Sequence, residues 1–278
     1  MMLINGQAQD YIAVADRGLQ YGDGLFETIA VNVGSPRFWE RHWQRLSAGC
    51  RRLGIEGIDA QTLRDEAHRV CAGVERGVLK LIVTRGAGGR GYRPTQTGTA
   101  TRIVALYPWP DYPDAHWQHG VAVRMCSTRL GRNTTLAGMK HLNRLEQVMA
   151  RCEWNDPRIA EGLMLDEAEH VIAGTTSNLF IVTAGHLVTP SLTECGVEGV
   201  MRGVILDIAS QAGISWEVAP LNQGDLQQAT ELFLCNSLIG IWPVRSIDQH
   251  DYSIGPVTKL LSERINESYR STRGVGIL

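Results

Sequence analysis

The sequence predicts an α+β protein built from two unequal halves. Its 278 residues, 44% hydrophobic and 20% charged, suffice for two buried cores. Short runs of strand formers alternate irregularly with stretches of helical spacing, which suits antiparallel or mixed sheets better than repeated βαβ units. Midway, the segment YPWPDYPDAHWQHG (107–120) holds three of the ten prolines and no periodicity, the mark of an interdomain linker. The limits that follow are 1–107 for a small N-terminal α+β domain, 108–119 for the linker and 120–278 for a larger C-terminal mixed-sheet domain.

From the N-terminus, FETIAVNV (26–33) is rich in strand formers, and Gly34-Ser35-Pro36 turns it back into a short strand over 37–40. Trp43, Leu46, Cys50 and Leu53 then recur at helical spacing, as do Leu63, Ala67, Val70 and Val74, giving two amphipathic helices. Strands over 78–84 and 101–107 complete the first half. After the linker come a strand over 121–126, a loop rich in Gly, Asn and Thr, and a helix beginning at Lys140 that carries Leu142, Leu145, Val148, Met149 and Cys152. Strands over 161–165, 170–172, 178–183, 186–189, 215–219, 231–235 and 239–246 follow, with helices over 200–211 and 257–269.

Composition narrows the function. A formal net charge of −2 with no run of like charges gives no reason to expect a nucleic acid or a membrane surface as partner. The six scattered cysteines form no CxxC pair and no Cys/His cluster at metal spacing, so they read as small buried hydrophobes of a reducing cytoplasm. Residues 1–10 lack the regions of a signal peptide, and the longest apolar runs fall far short of the roughly 18 residues a membrane helix needs. Without HExxH, a zinc hydrolase has little support. A soluble, cytoplasmic, metal-free protein is expected.

Of 27 basic side chains only three are lysine: Lys80, Lys140 and Lys259. A coding bias explains the ratio, yet arginine cannot act as a deprotonatable amine. Lys80 alternates within a strand and Lys259 lies on a C-terminal helix, where solvated amines are expected. Lys140, in GMKHLNRLE, sits at a helix start, where the positive end of the dipole favours the neutral, nucleophilic amine that imine formation requires.

A literal GxGxxG over 86–91 follows a strand, but Tyr92-Arg93-Pro94 and a polar loop follow where a dinucleotide fingerprint needs a helix. It reads as a flexible hairpin loop able to lie over a site. The glycine-punctuated GVEGVMR (196–202) feeds a helix whose free amides could hold a phosphate, and Ser237, at a strand end, could add a hydroxyl. Arg45, in HWQRL, is by default part of a solvated helix face.

DRGLQYGDGLFET (16–28), HWQRL (42–46), TRGAGGRGY (84–92), GMKHLNRLEQV (138–148), TTSNLF (175–180), GVEGVMR and CNSLIGIWPV (235–244) occur in an order that resembles class IV, fold type IV, pyridoxal-phosphate enzymes across essentially the whole chain. Within that group RGAGGRGY and KHLNRLEQV most closely resemble the aminodeoxychorismate lyases of folate biosynthesis, which form 4-aminobenzoate and pyruvate. The resemblance implies that Lys140 carries pyridoxal 5′-phosphate covalently and shuttles protons. Arg45, the amides around Gly199, Val200 and Met201, and Ser237 would hold the phosphate, and Asn143 would contact the ring hydroxyl. The dicarboxylate substrate would meet Arg90 of the glycine loop, with Tyr92 and Tyr107 lining its ring. A homodimer is implied as well.

One position departs from the pattern. Ala173 stands where the family usually carries a glutamate against the pyridine nitrogen, and Glu169, nearby, falls in the preceding turn. An elimination driven by aromatisation tolerates a weaker electron sink than a transamination does, which favours the lyase. The alternatives are a D-amino-acid or branched-chain aminotransferase of the same fold, and a noncatalytic dimeric binding protein.

Overall fold

The structure, a computed structural model, describes residues 1–94 and 99–271. The chain divides into two compact units: Met1–Asp111 with Met139–Arg144, and Tyr112–Gly138 with Leu145–Leu278. The short segment holding Lys140 therefore belongs with the first unit, although its sequence neighbours on both sides belong to the second.

The first unit comprises β1 (Met2–Ile4), β2 (Gln7–Ala8), α1 (Arg17–Tyr21), β3 (Gly24–Asn32), β4 (Ser35–Pro36), α2 (Trp39–Leu53), α3 (Ala60–Cys71), β5 (Arg76–Thr84) and β6 (Thr101–Pro108). Its six strands form an antiparallel sheet in the order β2-β1-β6-β5-β3-β4. Period-two alternation puts Leu25, Glu27, Ile29 and Val31 of β3 on the face against α2, with Leu79, Leu81 and Val83 beside them in register. Leu46 and Cys50 of α2 and Leu63, Ala67 and Val70 of α3 are buried with them. Phe26, Thr28, Lys80, Ile82, Ile103 and Tyr107 share the opposite face.

Residues 37–40 do not form the expected return strand. The turn closes earlier, at Val33-Gly34, leaving a two-residue β4, and Phe38 takes a left-handed conformation (φ 51°) that leads straight into α2. The reason is the amphipathic face of α2: burying it against β3 outweighs two more residues of edge pairing.

The second unit comprises α4 (Ala115–Gln118), β7 (Val121–Leu130), α5 (Leu145–Arg151), β8 (Ile159–Asp166), β9 (Val171–Gly174), β10 (Asn178–Thr183), β11 (His186–Pro190), α6 (Val200–Gln211), β12 (Trp216–Ala219), α7 (Gln223–Gln228), β13 (Glu231–Asn236), β14 (Gly240–Ile247), β15 (His250–Asp251) and α8 (Pro256–Ser271). Its sheet runs β12-β11-β10-β13-β14-β7-β8-β9, with β15 on β14. The β11–β12, β14–β7 and β7–β8 pairs are parallel and the others antiparallel, so the sheet is mixed, as expected. The supposed linker is ordered: Tyr112, His116 and Trp117 pack edge-on against Trp242, with ring centroids 4.8–5.8 Å away.

The helix expected to begin at Lys140 begins instead at Leu145. Only Ala150 of its apolar residues is buried in a core; Leu145, Val148 and Met149 are 77%, 53% and 61% exposed. Periodicity identified a helix with an apolar face but could not say whether that face meets its own chain.

Candidate active site

In the first unit, β4 pairs only with the last two residues of β3. The segment 139–144 lies along the other end of that strand. Phe26 N donates to Lys140 O (2.9 Å), Leu142 N to Gly24 O (2.9 Å), and Leu25 pairs with His141. Arg144 braces the segment by donating to the carbonyls of His141 (2.9 Å) and Met139 (3.2 Å). Lys140 is thus held extended, and its Nζ lies 4.3 Å from the centroid of the Phe26 ring.

This placement corrects the cause assigned to its reactivity. Lys140 lies five residues before the start of α5, outside the first turn in which a helix dipole acts. Desolvation of the amine is the largest effect, followed by the Arg45 charge. Arg144 and Lys80 add to them, Glu27 opposes, and the pKa falls from 10.5 to about 7. At that value about half of the amine is neutral at pH 7, against roughly one part in a few thousand for a free lysine.

Lys80 is not the ordinary surface amine its strand position implied. It is partly buried, its Nζ is 5.5 Å from the same Phe26 centroid, and its charge helps depress Lys140. Lys259 is exposed, as expected.

Beside Phe26, Glu27 is buried in the apolar face of β3. Helical i, i+3 spacing turns His42 and Arg45 of α2 toward it. Arg45 donates Nε to Glu27 Oε1 (2.8 Å) and Nη2 to Oε2 (2.5 Å), while His42 Nδ1 lies 2.6 Å from Oε2. Arg45 therefore sits in a bidentate ion pair and not on a solvated helix face. Burial raises the Glu27 pKa, but Arg45 and His42 outweigh it and bring it to about 2; burial lowers that of His42 despite its carboxylate partner. Sequence reasoning missed Glu27 because it reads as one polar residue in a strand.

Asn143 Nδ2 donates to Gly22 O (3.2 Å). Gly22 has φ 65°, and a Cβ there would meet Asn143 Oδ1 at 2.3 Å, so glycine is required. Arg90 and Tyr92 are exposed on the glycine loop, which opens no helix over 92–94, consistent with rejecting a dinucleotide fingerprint. Tyr107 shares the Phe26 face but lies two strands over and four residues farther along, about 13 Å in the strand direction alone.

In the second unit, three loops meet. Gly199 is the N-cap of α6 and brings no capping side chain to the amides of the first turn. Asn178, at the start of β10, donates Nδ2 to Val197 O (2.9 Å), and a Cβ on Gly199 would lie 1.9 Å from Asn178 Oδ1. Gly138 N donates to Gly196 O (3.0 Å) and Glu198 N to Gly138 O (3.0 Å). Ser237 lies in the turn just after β13, not at the strand end; Asn236 ties that turn to Thr176 O (3.3 Å) and accepts from Leu238 N and Ile239 N.

Beneath the 174–177 turn, the buried carboxylate of Glu161 accepts from the amides of Gly162, Thr175 and Thr176 and the hydroxyls of Thr175, Thr176 and Ser177, at 2.5–3.2 Å. This brace carried no local signal, since all its partners but the adjacent Gly162 amide lie 14–16 residues away. Ala173 is buried among apolar residues including Met164, Trp154 and Ile172. Glu169 is exposed and paired with Arg129 (3.0 Å), so it does not replace an acid at Ala173.

Each unit by itself carries donor chemistry that a phosphorylated aldehyde needs: the first a desolvated amine near neutrality, which suits a carbonyl, and the second a glycine-cradled helix N-terminus, which suits a phosphate.

A family model described as amino-transferase class IV matches residues 24–247. The aminodeoxychorismate lyase of Vibrio harveyi is 36% identical over 270 residues, covering 96% of this chain and 100% of that one. The crystal structure of 4-amino-4-deoxychorismate lyase from Pseudomonas aeruginosa matches with TM-score 0.93 at 49% identity, covering 96% of this chain and 98% of the other. The branched-chain amino acid aminotransferase of Escherichia coli matches with TM-score 0.85 at 26% identity, covering 96% and 93%.

Proposed function

The chain belongs to the class IV aminotransferase family, and from that premise we propose that it is an aminodeoxychorismate lyase, converting 4-amino-4-deoxychorismate to 4-aminobenzoate and pyruvate. The observation that carries this reading is chain-long likeness to two such lyases, at 36% and 49% identity, above the 26% to the aminotransferase structure. The lysine that chemistry needs, Lys140, is held desolvated with a pKa of about 7.

The cofactor is pyridoxal 5′-phosphate, which when bound draws electrons from the carbon attached to the substrate nitrogen. Lys140 would hold its carbonyl carbon, the amides around Gly199, Val200 and Met201 with Arg45 and Ser237 its phosphate, and Asn143 its ring hydroxyl. When it is not holding the cofactor, the Lys140 amine would accept the proton from the substrate carbon that bears the nitrogen. Its near-neutral pKa lets it take and return that proton at the same pH. The C–O bond to the enolpyruvyl group on the adjacent carbon would then break, the ring becoming aromatic and the departing enolpyruvate taking up a proton to become pyruvate. Arg90 with its loop amides, Tyr92 and Tyr107 are the candidate substrate contacts. Lys80, with no ion pair among the described residues, adds positive potential for a dicarboxylate beside Lys140.

We further propose a homodimer, supported by the exposed apolar face of α5, and a cytoplasmic setting, supported by six free cysteines. No described helix is long and apolar enough to cross a membrane.

The test is formation of 4-aminobenzoate from aminodeoxychorismate without added keto acid. Wild type should form it; Lys140→Ala should not, and should lose the borohydride-fixed cofactor adduct. Amino transfer from an amino acid to 2-oxoglutarate, with no 4-aminobenzoate, would replace the lyase by an aminotransferase. A wild type without cofactor absorbance would replace both by a binding protein.

A further inference from the structure

Four of the six residues from Gly86 to Gly91 are glycine, a composition that makes a loop expensive to order, at about 1–2 kcal/mol of backbone entropy per residue. The side chains at the far end of this loop bury little: Arg90 is exposed and Tyr92 is 88% exposed. What holds it comes from α1, some seventy residues earlier in the chain.

Arg17 is only 4% exposed, which is unusual for a residue on a five-residue helix. Its guanidinium is fully directed. Nη1 donates to Gly91 O (2.8 Å), Nη2 to Tyr92 O (3.0 Å) and Nε to Asp23 Oδ2 (2.9 Å). Its carbon lies 4.7 Å from the Tyr21 ring centroid. Tyr21 in turn accepts from Gly91 N (3.1 Å) and meets the Tyr92 ring edge-on, centroids 5.7 Å apart. The base of the loop is fastened separately. Asp16 accepts from the hydroxyls of Thr84 (3.0 Å) and Thr101 (2.8 Å), and Gly88 N donates to Ala15 O (3.1 Å). One short segment thus pins both the root and the tip, and the tip is held by two of its side chains, Arg17 with two carbonyl contacts and Tyr21 with one amide contact.

We propose that Arg17 is a positioning residue that fixes the 90–92 tip of the glycine loop in its substrate-binding conformation, through two carbonyl contacts that only a planar two-pronged donor can make together. This rests on the lyase reading and on Arg90 and Tyr92 meeting the substrate. Asp23 keeps the buried guanidinium neutralised: burial raises its pKa, but Arg85 and Arg17 outweigh this and lower it overall. In this role Arg17 acts through the loop backbone, by its contacts to Gly91 and Tyr92, and not by contact with substrate or cofactor.

The test uses the cofactor-loaded enzyme with Arg17→Lys and, as a gentler variant that leaves the guanidinium in place, Tyr21→Phe. Loosening the tip should raise KM for aminodeoxychorismate about tenfold in Arg17→Lys and a few-fold in Tyr21→Phe, with kcat within about threefold of wild type. The cofactor absorbance should not change. Trypsin cleavage of the Arg90–Gly91 bond, which reads the loop without reference to activity, should accelerate in the same order. Cleavage at the wild-type rate in both variants overturns the anchoring. Faster cleavage with unchanged KM overturns the positioning role, because the loop would then be loose without consequence for the substrate. Should wild type form no 4-aminobenzoate, the lyase reading fails with the substrate half of the proposal, and cleavage alone decides the anchor.

Discussion

Replacing Phe26 by alanine separates the two influences its ring exerts on Lys140. The ring lies 4.3 Å from Nζ, where it both excludes water and offers a π face to the ammonium. Excluding water disfavours the cation and lowers the pKa, whereas the π face favours the cation and raises it. The fall from 10.5 to about 7 corresponds to roughly 5 kcal/mol at about 1.4 kcal/mol per tenfold change, with burial its leading cause. A cation–π contact at a desolvated site is worth about 2 kcal/mol. Opening the site should therefore raise the midpoint, by about 1 to 2 pH units, and cut the neutral amine at pH 7 from about half to a few per cent. With only three lysines in the chain, competitive acetylation of cofactor-free enzyme between pH 6 and 11, resolved by mass spectrometry, reads Lys140 separately from Lys80 and Lys259. The same shift appears in stability. The unfolded chain keeps this proton up to about pH 10.5 and the folded chain only to about 7, so cofactor-free wild type gains stability as pH rises through that window, and Phe26→Ala gains less. A Lys140 midpoint in Phe26→Ala that is unchanged or lower than in wild type would refute desolvation as the cause.

Glu27→Gln removes the anion from a buried pair and strands Arg45, so chemical denaturation at pH 7 should show a loss of about 3–5 kcal/mol. Because the folded pKa of Glu27 is depressed from 4.5 to about 2, its stabilisation is complete above pH 4.5 and is lost as pH falls toward 2; the variant's denaturation midpoint should be flatter than wild type across that window. Gly199→Ala drives a Cβ into Asn178 Oδ1, which must displace the first turn of α6. Equilibrium dialysis should show cofactor affinity falling by at least about tenfold, with stability down about 1–3 kcal/mol, and Asn178→Ala on top of it should recover part of both.

How much was legible in the chain varied with the range of the interaction. Helices α2, α3 and α6 and the strands β5 and β6 followed from periodicity, since each buries a continuous apolar face. Where the pattern failed, competition between neighbours decided: residues 37–40 match a strand locally, but α2 claims them once its face can pack. At the site, Lys140 stood out because the sequence contains so few lysines and places this one in a recognisable motif. Its partners did not, as Glu27 is eighteen residues from Arg45 and Arg17 is seventy-four from Gly91.

The sequence by itself determined the α+β class, the family, the lysine proposed for the chemistry and the glycine-cradled start of α6, because these depend on local pattern and residue type. Only the tertiary structure decided why that lysine is reactive. It placed Lys140 five residues before α5, against an aromatic ring and beside three other cations, so desolvation and charge take the role the sequence had assigned to a helix dipole. It also moved Lys80 from the solvated surface to the neighbourhood of Lys140. Burial and Coulomb interactions depend on distances in space, which sequence separation does not encode.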